Sequence, residues 1–199
     1  KVEQIKNFFV NLKFFLNDME IDYENDQIKL LTKNKLDWKI KVIDTGLKTM
    51  TGGRLKKIKK YFNTNENFFL TYGDGLSNVN INSLQKLHLK SKKIATMTIV
   101  IPPGRFGAVE TSRNIVTKFK EKKKDKTKFI NGGYFVLNYK IFDYIQNNQT
   151  IFEDDVLTKL STIEQLQAYK HNGFWQSMDS LSDKFYLEEL WKRKPLWKK

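Results

Sequence analysis

Residues 67–75 read NFFLTYGDG, a short apolar run that stops at an aspartate flanked by glycines. The run is typical of a buried strand. A helix capped by Asn80 should follow, and then a second apolar run at 94–101 that ends at Pro102. A strand, helix and strand in this order close with a right-handed crossover between parallel strands, whose carboxyl ends share one edge. We therefore expect the GDG turn and residues 102–107 at the ligand-binding edge of an α/β sheet.

The rest of the chain predicts an α/β fold with a mixed, mainly parallel sheet flanked by helices. Apolar spacing predicts helices at residues 2–16, 55–62, 139–145, 153–160 and 183–193, and strands at 38–42, 107–110, 115–121 and 133–138. The turn Ser112-Arg113-Asn114 predicts a hairpin between the segments on either side of it. Since there is no internal repeat and no linker beyond the lysine-rich loop 122–128, we expect a single domain over residues 1–199.

The composition excludes several classes of protein. The chain has no Cys and only two His among 199 residues, which excludes a disulfide scaffold, a Cys nucleophile and a Cys/His zinc site. A metal site should therefore be oxygen-bound, which favours Mg²⁺. The apolar stretches are too short to span a bilayer and the first residues do not form a signal peptide, so we expect a cytoplasmic protein without a membrane partner.

The net charge of +14 comes from 36 Lys and Arg residues against 22 Asp and Glu residues. Only four of the basic residues are Arg, and base and phosphate recognition in nucleic acids favours the planar guanidinium. We therefore expect no nucleic-acid partner. An anionic small-molecule substrate accounts for a positive field equally well.

Two aspartates and two glycine pairs are candidates for chemistry. Asp74 lies between glycines, so a phosphate or metal could approach it closely, although a turn aspartate bonded to its own backbone fits the local sequence equally well. Asp179 follows an aromatic loop and could instead cap the last helix. The pair before Arg54 could present free backbone N–H groups to an anion at a helix start, or form a plain turn. Asn131-Gly132-Gly133 contains the second pair, and neither pair belongs to a Walker loop or a dinucleotide fingerprint.

Five segments taken in order resemble glucose-1-phosphate cytidylyltransferases, a family of sugar nucleotidyltransferases. They are DTGLKTMTGGR (44–54), TYGDG (71–75), PPGRFGA (102–108), INGGYFVL (130–137) and GFWQSMDSLSDK (173–184). The resemblance covers nearly the whole chain. It implies a Rossmann-like nucleotidyltransferase fold and the reaction of CTP with α-D-glucose 1-phosphate to give CDP-glucose and pyrophosphate. It also implies a homo-oligomer.

The resemblance implies specific roles for the residues that match the family's motifs. Asp74 and Asp179 match the two magnesium-binding aspartates of the family, so the implied cofactor is Mg²⁺. Nucleotide contacts are implied for Thr49, Arg54 and Gly73, with Arg54 facing phosphates. Sugar and sugar-phosphate contacts are implied for the remaining matches, which are Gly107, Glu121, Lys122, Asn131 and Gly132. Asp74, Asp179, Lys122 and Arg54 are the residues implied in catalysis.

The chain departs from the family pattern in four places. No segment matches the family's first strand, its GGxGTR loop or the Lys-Pro motif after that loop, so we expect an amino-terminally incomplete enzyme of doubtful full activity. Lys123 and Ser177 stand where the family has Pro, and Ser182 stands where it has Arg. These changes affect loops next to the implied sugar-phosphate and metal residues.

Two alternatives stay open at this level. A uridylyl- or thymidylyltransferase would keep the chemistry and change the base or sugar. A non-catalytic nucleotide-binding or basic RNA-binding module would show no turnover, and RNA affinity would fall steeply with salt.

Overall fold

A computed structural model describes residues 2–102, 108–112, 115–120 and 129–198. The chain divides into two compact units, residues 1–48 and 49–199. The prediction of a single domain stays a prediction. Across the described ranges, no helix has both the length and the apolar character needed to cross a lipid bilayer.

The first unit contains a helix and a hairpin: α1 (Val2–Phe15), β1 (Met19–Asp22) and β2 (Gln27–Leu30). The prediction of α1 is confirmed. The hairpin was missed because its strands have four residues each, too few to establish an alternation. Its turn depends on Asp22, whose carboxylate accepts from the backbone N–H groups of Glu24 and Asn25 at 2.9 and 3.1 Å. The strand predicted at residues 38–42 is wrong, because none of the described strands pairs with this segment and an unpaired strand loses its ladder hydrogen bonds.

The second unit contains most of the regular structure. Its elements in chain order are α2 (Thr51–Lys57), β3 (Asn67–Thr71), β4 (Gly75–Ser77), α3 (Ile81–Ser91), β5 (Ala95–Val100), β6 (Ala108–Ser112), β7 (Ile115–Lys120), β8 (Ile130–Asn138), α4 (Thr158–Thr162), β9 (Leu166–His171), β10 (Trp175–Ser177) and α5 (Leu181–Arg193). Short 3₁₀ helices cover Lys59–Tyr61 and Tyr139–Tyr144, and a π-helical turn at Phe152–Leu157 leads into α4. The mixed α/β fold class is confirmed, as is the hairpin of β6 and β7.

The main sheet has four strands in the order β3-β8-β5-β9. The prediction that β3 and β5 run in the same direction is confirmed, since β8 is antiparallel to both. They are not neighbours as a simple crossover unit requires, because β8 lies between them. β9, which sequence patterns missed, pairs parallel with β5. Three of the four strands thus point one way, and the ends of β3 and β5 meet at one edge.

Apolar side chains from the sheet and the helical segments after it form the core. Phe135 and Leu137 on β8 are fully buried with Ile141, Phe152 and Leu160. The rings of Phe135 and Phe152 meet edge to face at 5.7 Å between centroids. This core supports β8, whose first residues lie at the candidate site.

Helix α3 begins as predicted at Asn80, whose side-chain oxygen accepts from the Ser83 backbone N–H at 2.9 Å. His88 on α3 is buried. Its ring nitrogens lie 2.9 Å from Thr96 Oγ1 and 3.3 Å from Asn67 Oδ1. Burial lowers the pKa of His88 below its usual value of 6.5, because the charged ring loses its hydration.

We expect this buried histidine to make the fold sensitive to mild acid. With a lowered folded-state pKa, His88 contributes stability that is fully present above pH 6.5 and is lost as the pH falls below that value. The free energy of unfolding should fall by up to about 1.4 kcal/mol per pH unit over this range. Urea titrations between pH 7.5 and 5 measure it. The His88→Gln variant should show a flatter profile, and an equal slope in both proteins would contradict the assignment.

Candidate functional site

Two short strands bring the two candidate aspartates together. β4 begins directly after Asp74, and β10 ends two residues before Asp179. These strands pair antiparallel, with Ser177 opposite Gly75, and the Met178 backbone N–H donates to the Asp74 carbonyl at 2.8 Å. Residues 74 and 179, remote in sequence, therefore lie at the same end of one ladder. The turn at Asp74 is thus continued by a paired strand that sequence patterns did not predict.

Both aspartates line one cavity of about 350 Å³. Its lining residues are Tyr72, Asp74, Gly75, Pro102, Ile130, Asn131, Gly132, Gly133, Trp175, Ser177 and Asp179. Four of the predicted site residues thus share a cavity: Asp74, Asp179, Asn131 and Gly132. Gly73 directly precedes Asp74 in the chain but does not line the cavity. Pro102 confirms that the ends of β3 and β5 open onto one site.

A bulge at the start of β8 forms one wall of this cavity. Asn131 pairs with Ile99 and Phe135 with Met97, so the ladder between these pairs is irregular at the glycine pair. Gly133 has φ +76°, a backbone conformation that glycine adopts without strain. A Cβ on Gly132 would lie 3.1 Å from the Thr98 carbonyl oxygen. Bulges of this kind redirect a side chain near a site, here that of Asn131.

Two aromatic side chains that sequence analysis missed hold the cavity walls together. Trp175 on β10 donates from its indole Nε1 to the Gly132 carbonyl at 2.8 Å. Tyr134 on β8 donates from its hydroxyl to the Gly75 carbonyl at 2.7 Å. Both residues lie within the segments that carry the family resemblance. Their strand positions are the only sequence signal for these roles, because neither contact is local.

Asp179 does not form the cap of α5 that its position in the sequence allowed. The cap of α5 is a reciprocal pair in which Ser180 Oγ accepts from the Asp183 N–H and the Asp183 carboxylate accepts from the Ser180 N–H. Asp179 instead accepts from the Ser177 hydroxyl at 2.9 Å. The residue that replaces the family's Pro thus contacts the second aspartate directly.

Tyr72 connects the cavity to Glu153, a half-buried acid. Its hydroxyl donates to Glu153 Oε1 at 2.5 Å and accepts from Asn131 Nδ2 at 3.1 Å. Burial raises the pKa of Tyr72, and the hydrogen bond to the Glu153 carboxylate raises it further, so the phenol stays protonated. Sequence analysis gave neither residue a role. The position of Tyr72 at the end of a strand, two residues before Asp74, is the signal that could have found it.

The predicted nucleotide residues Thr49 and Arg54 do not line this cavity. Arg54 lies exposed on α2, and Thr49 is buried just before that helix. The interpretation of the glycine pair in α2 as free N–H donors for an anion is wrong, because Gly52 and Gly53 both donate to the Thr150 carbonyl at 3.0 and 3.2 Å. The pair instead permits close packing of α2 against residues 148–150.

Three predicted sugar-phosphate residues, Gly107, Glu121 and Lys122, lie outside the described residues, as does Lys123. His171, the other histidine, ends β9 with its Nε2 3.2 Å from Ser77 Oγ and 3.1 Å from the Phe174 carbonyl. The Ser77 hydroxyl donates to that same carbonyl at 2.8 Å. Its proton is therefore directed away from the histidine, which is consistent with a structural contact and not an activated nucleophile.

Comparison with known proteins gives the family. Residues 19–187 match the family described as "Nucleotidyl transferase". The chain is 40% identical over 195 residues to glucose-1-phosphate cytidylyltransferase of Salmonella typhi, covering 98% of this chain and 76% of that protein. It is 34% identical over 200 residues to a probable glucose-1-phosphate cytidylyltransferase of Bacillus subtilis, covering 100% of this chain and 78% of that protein.

Solved structures agree on the fold. A putative glucose-1-phosphate thymidylyltransferase from Bacillus anthracis superposes with a TM-score of 0.56 at 15% identity, covering 74% of this chain and 63% of that one. HddC from Yersinia pseudotuberculosis gives a TM-score of 0.53 at 21% identity, with coverages of 72% and 63%. The chain thus spans somewhat less than two thirds of these solved chains. The match over residues 19–187 and the two sequence relatives show that the chain belongs to the nucleotidyl transferase family, together with the glucose-1-phosphate cytidylyltransferases.

Proposed function

We propose that the protein transfers the cytidylyl group of CTP to α-D-glucose 1-phosphate, giving CDP-glucose and pyrophosphate. The similarity to glucose-1-phosphate cytidylyltransferases over nearly the whole chain supports this activity. One structural observation carries the mechanism: the β4–β10 ladder brings Asp74 and Asp179 to the rim of a cavity that also contains Asn131 and Gly132.

Asp74 and Asp179 would hold Mg²⁺. Within the part of the chain that is described, no group of three or more His, Cys, Asp or Glu side chains could hold a metal. A two-carboxylate site suits Mg²⁺, which usually takes one or two protein carboxylates and completes its shell with water and substrate phosphates. When bound, Mg²⁺ neutralises charge that develops on the reacting phosphates.

The remaining residues position the reactants. Catalysis of phosphoryl and nucleotidyl transfer is mainly positioning and charge neutralisation, so no covalent nucleophile is required. Arg54 and Thr49 on the α2 side would contact the nucleotide, as would the backbone of Gly73. Glu121, Lys122 and Gly107 would hold the sugar phosphate together with Asn131 and Gly132.

We expect the protein, once a segment carrying the family's GGxGTR loop and Lys-Pro motif is joined ahead of residue 1, to form CDP-glucose from CTP and glucose 1-phosphate with Mg²⁺ and to form none after EDTA treatment. A pyrophosphate-release assay with CTP, UTP, GTP and dTTP measures the preference. CTP should lead UTP by at least about tenfold in kcat/KM, because buried polar groups that match one base edge are left unpaired by another. A UTP or dTTP preference would replace the proposal with a uridylyl- or thymidylyltransferase. Absence of turnover with every nucleotide would leave a binding protein.

We further propose that the protein is a cytoplasmic homo-oligomer whose product feeds surface polysaccharide synthesis. Large exposed apolar side chains on α5 are consistent with a subunit contact: Leu181, Phe185 and Trp191 are 71%, 60% and 58% exposed. Sedimentation velocity measures the oligomeric state.

A further inference from the structure

Four side chains form a hydrogen-bonded chain that runs from the start of α2 to the cavity. Thr51 Oγ1 donates to Glu153 Oε2 at 2.8 Å, and the Tyr72 hydroxyl donates to Glu153 Oε1 at 2.5 Å. Asn131 Nδ2 donates to the same hydroxyl at 3.1 Å. Thr51 Oγ1 also accepts from the Phe152 N–H at 2.8 Å. Each carboxylate oxygen of Glu153 therefore accepts one side-chain hydroxyl, and we call this set the Tyr72 brace.

The brace fixes the orientation of the Asn131 amide. The Tyr72 hydroxyl has one proton, and it donates this proton in the hydrogen bond to the Glu153 carboxylate. The tyrosine oxygen can therefore only accept from Asn131. The NH₂ group of Asn131 must then face Tyr72. Its Oδ1 accepts from the Gly133 N–H at 2.8 Å, which demands the same orientation from the other end. Two independent contacts thus agree on one amide orientation, leaving the second N–H of Nδ2 as a fixed donor.

Unlike a hydrogen bond within the core, the Tyr72 brace reaches the cavity. Asn131 and Tyr72 both line the cavity, whereas Glu153 does not. The network is only partly buried, but each carboxylate oxygen of Glu153 has a hydrogen-bond partner. The Glu153 carboxylate thus lies outside the cavity lining, where it accepts the hydrogen bond of the tyrosine hydroxyl.

We propose that Tyr72 and Glu153 are positioning residues that hold the Asn131 amide for a hydroxyl of the hexose phosphate, and so set sugar affinity without acting on the nucleotide. This inference rests on the proposed function. It assigns a role to two residues outside the matched site residues. Because neither residue needs to touch substrate, their loss should affect sugar binding and leave nucleotide binding unchanged.

The Tyr72→Phe variant tests the brace by deleting one oxygen atom. We expect the KM for glucose 1-phosphate to rise about tenfold, which is the loss of one well-placed neutral hydrogen bond. The KM for CTP and kcat should stay within twofold. Glu153→Ala should have the same effect, Glu153→Gln a smaller one, and the double variant Tyr72→Phe/Glu153→Ala no more than either single change. Tyr139→Phe is the matched control, since Tyr139 packs on Phe142 outside the cavity.

A purely structural role predicts a different result. It would lower the melting temperature and change both KM values together, or change neither, and either outcome overturns the proposal. A readout independent of turnover is the ¹⁵N side-chain signal of Asn131, identified by its loss in Asn131→Asp. Hydrogen exchange of the Asn131 side-chain NH₂ group with solvent should be slow in the wild-type protein and at least fivefold faster in Tyr72→Phe. Equal exchange in the two proteins overturns the brace even if the enzyme is active. Calorimetry with glucose 1-phosphate alone distinguishes failure of the brace from failure of the proposed function. If the proposed function fails, the wild-type protein itself will not bind glucose 1-phosphate.

Discussion

The Asp74→Asn variant should lose at least about a thousandfold in kcat/KM, a loss of transition-state stabilisation of about 4 kcal/mol. The change keeps the size of the side chain and removes its negative charge, so a divalent ion loses one of the two carboxylates proposed to hold it. Asp74 is exposed at the end of a turn, so the fold should survive. Steady-state kinetics over a range of Mg²⁺ concentrations measure the effect, and the Mg²⁺ dependence should shift to higher concentration.

Asp143→Asn is the matched control, because Asp143 is also exposed and lies outside the cavity. It should keep wild-type turnover and Mg²⁺ dependence. Asp179→Asn should behave like Asp74→Asn. If either site variant keeps turnover within tenfold of the wild type, the metal assignment is wrong.

The Gly53→Ala variant should be destabilised by about 3 kcal/mol, net of the roughly 1 kcal/mol that alanine gains over glycine inside a helix. A Cβ at this position would lie 2.5 Å from the Asn148 carbonyl oxygen and 2.6 Å from its Cα. These are backbone atoms, so no rotamer change can relieve the overlap, and α2 must move away from residues 148–150. For a chain of this length the melting temperature should fall by about 6–12 °C, as scanning calorimetry would show.

Gly73→Ala is the contrasting substitution. An added Cβ there has no heavy atom within 4 Å among the described residues, so the melting temperature should stay within about 1 °C of the wild type. A Gly53→Ala protein that melts with the wild type would show that α2 is not packed as closely as the structure has it.

Sequence patterns predicted the positions of the helices and strands of the second unit better than they predicted which strands pair. The periodicity of α3 and α5 and the apolar runs of β3, β5 and β8 were enough to place them. The insertion of β8 between β3 and β5 was not foreseen, because strand order depends on long-range pairing that local patterns do not encode. The strands β4 and β10 have three residues each and are set by their mutual hydrogen bonds, so they have no local signature.

The candidate site shows the same division. Local chemistry marked Asp74 by its flanking glycines, but only the family resemblance joined it to Asp179. The sequence offered the glycine pair of α2 as an anion site, whereas the structure uses it for helix packing, since its N–H groups already have an acceptor. Tyr72, Glu153 and Trp175 were missed because their roles come from contacts with residues far away in sequence.

The three-residue ladder of β4 and β10 also bears on how such a protein diversifies. Because it joins the flanks of the two acids directly, those residues of the intervening polypeptide that contact neither strand can change without disturbing the acidic pair. Selection can thus remodel the walls around a reacting group, and with them the choice of substrate, while the chemistry itself is inherited intact.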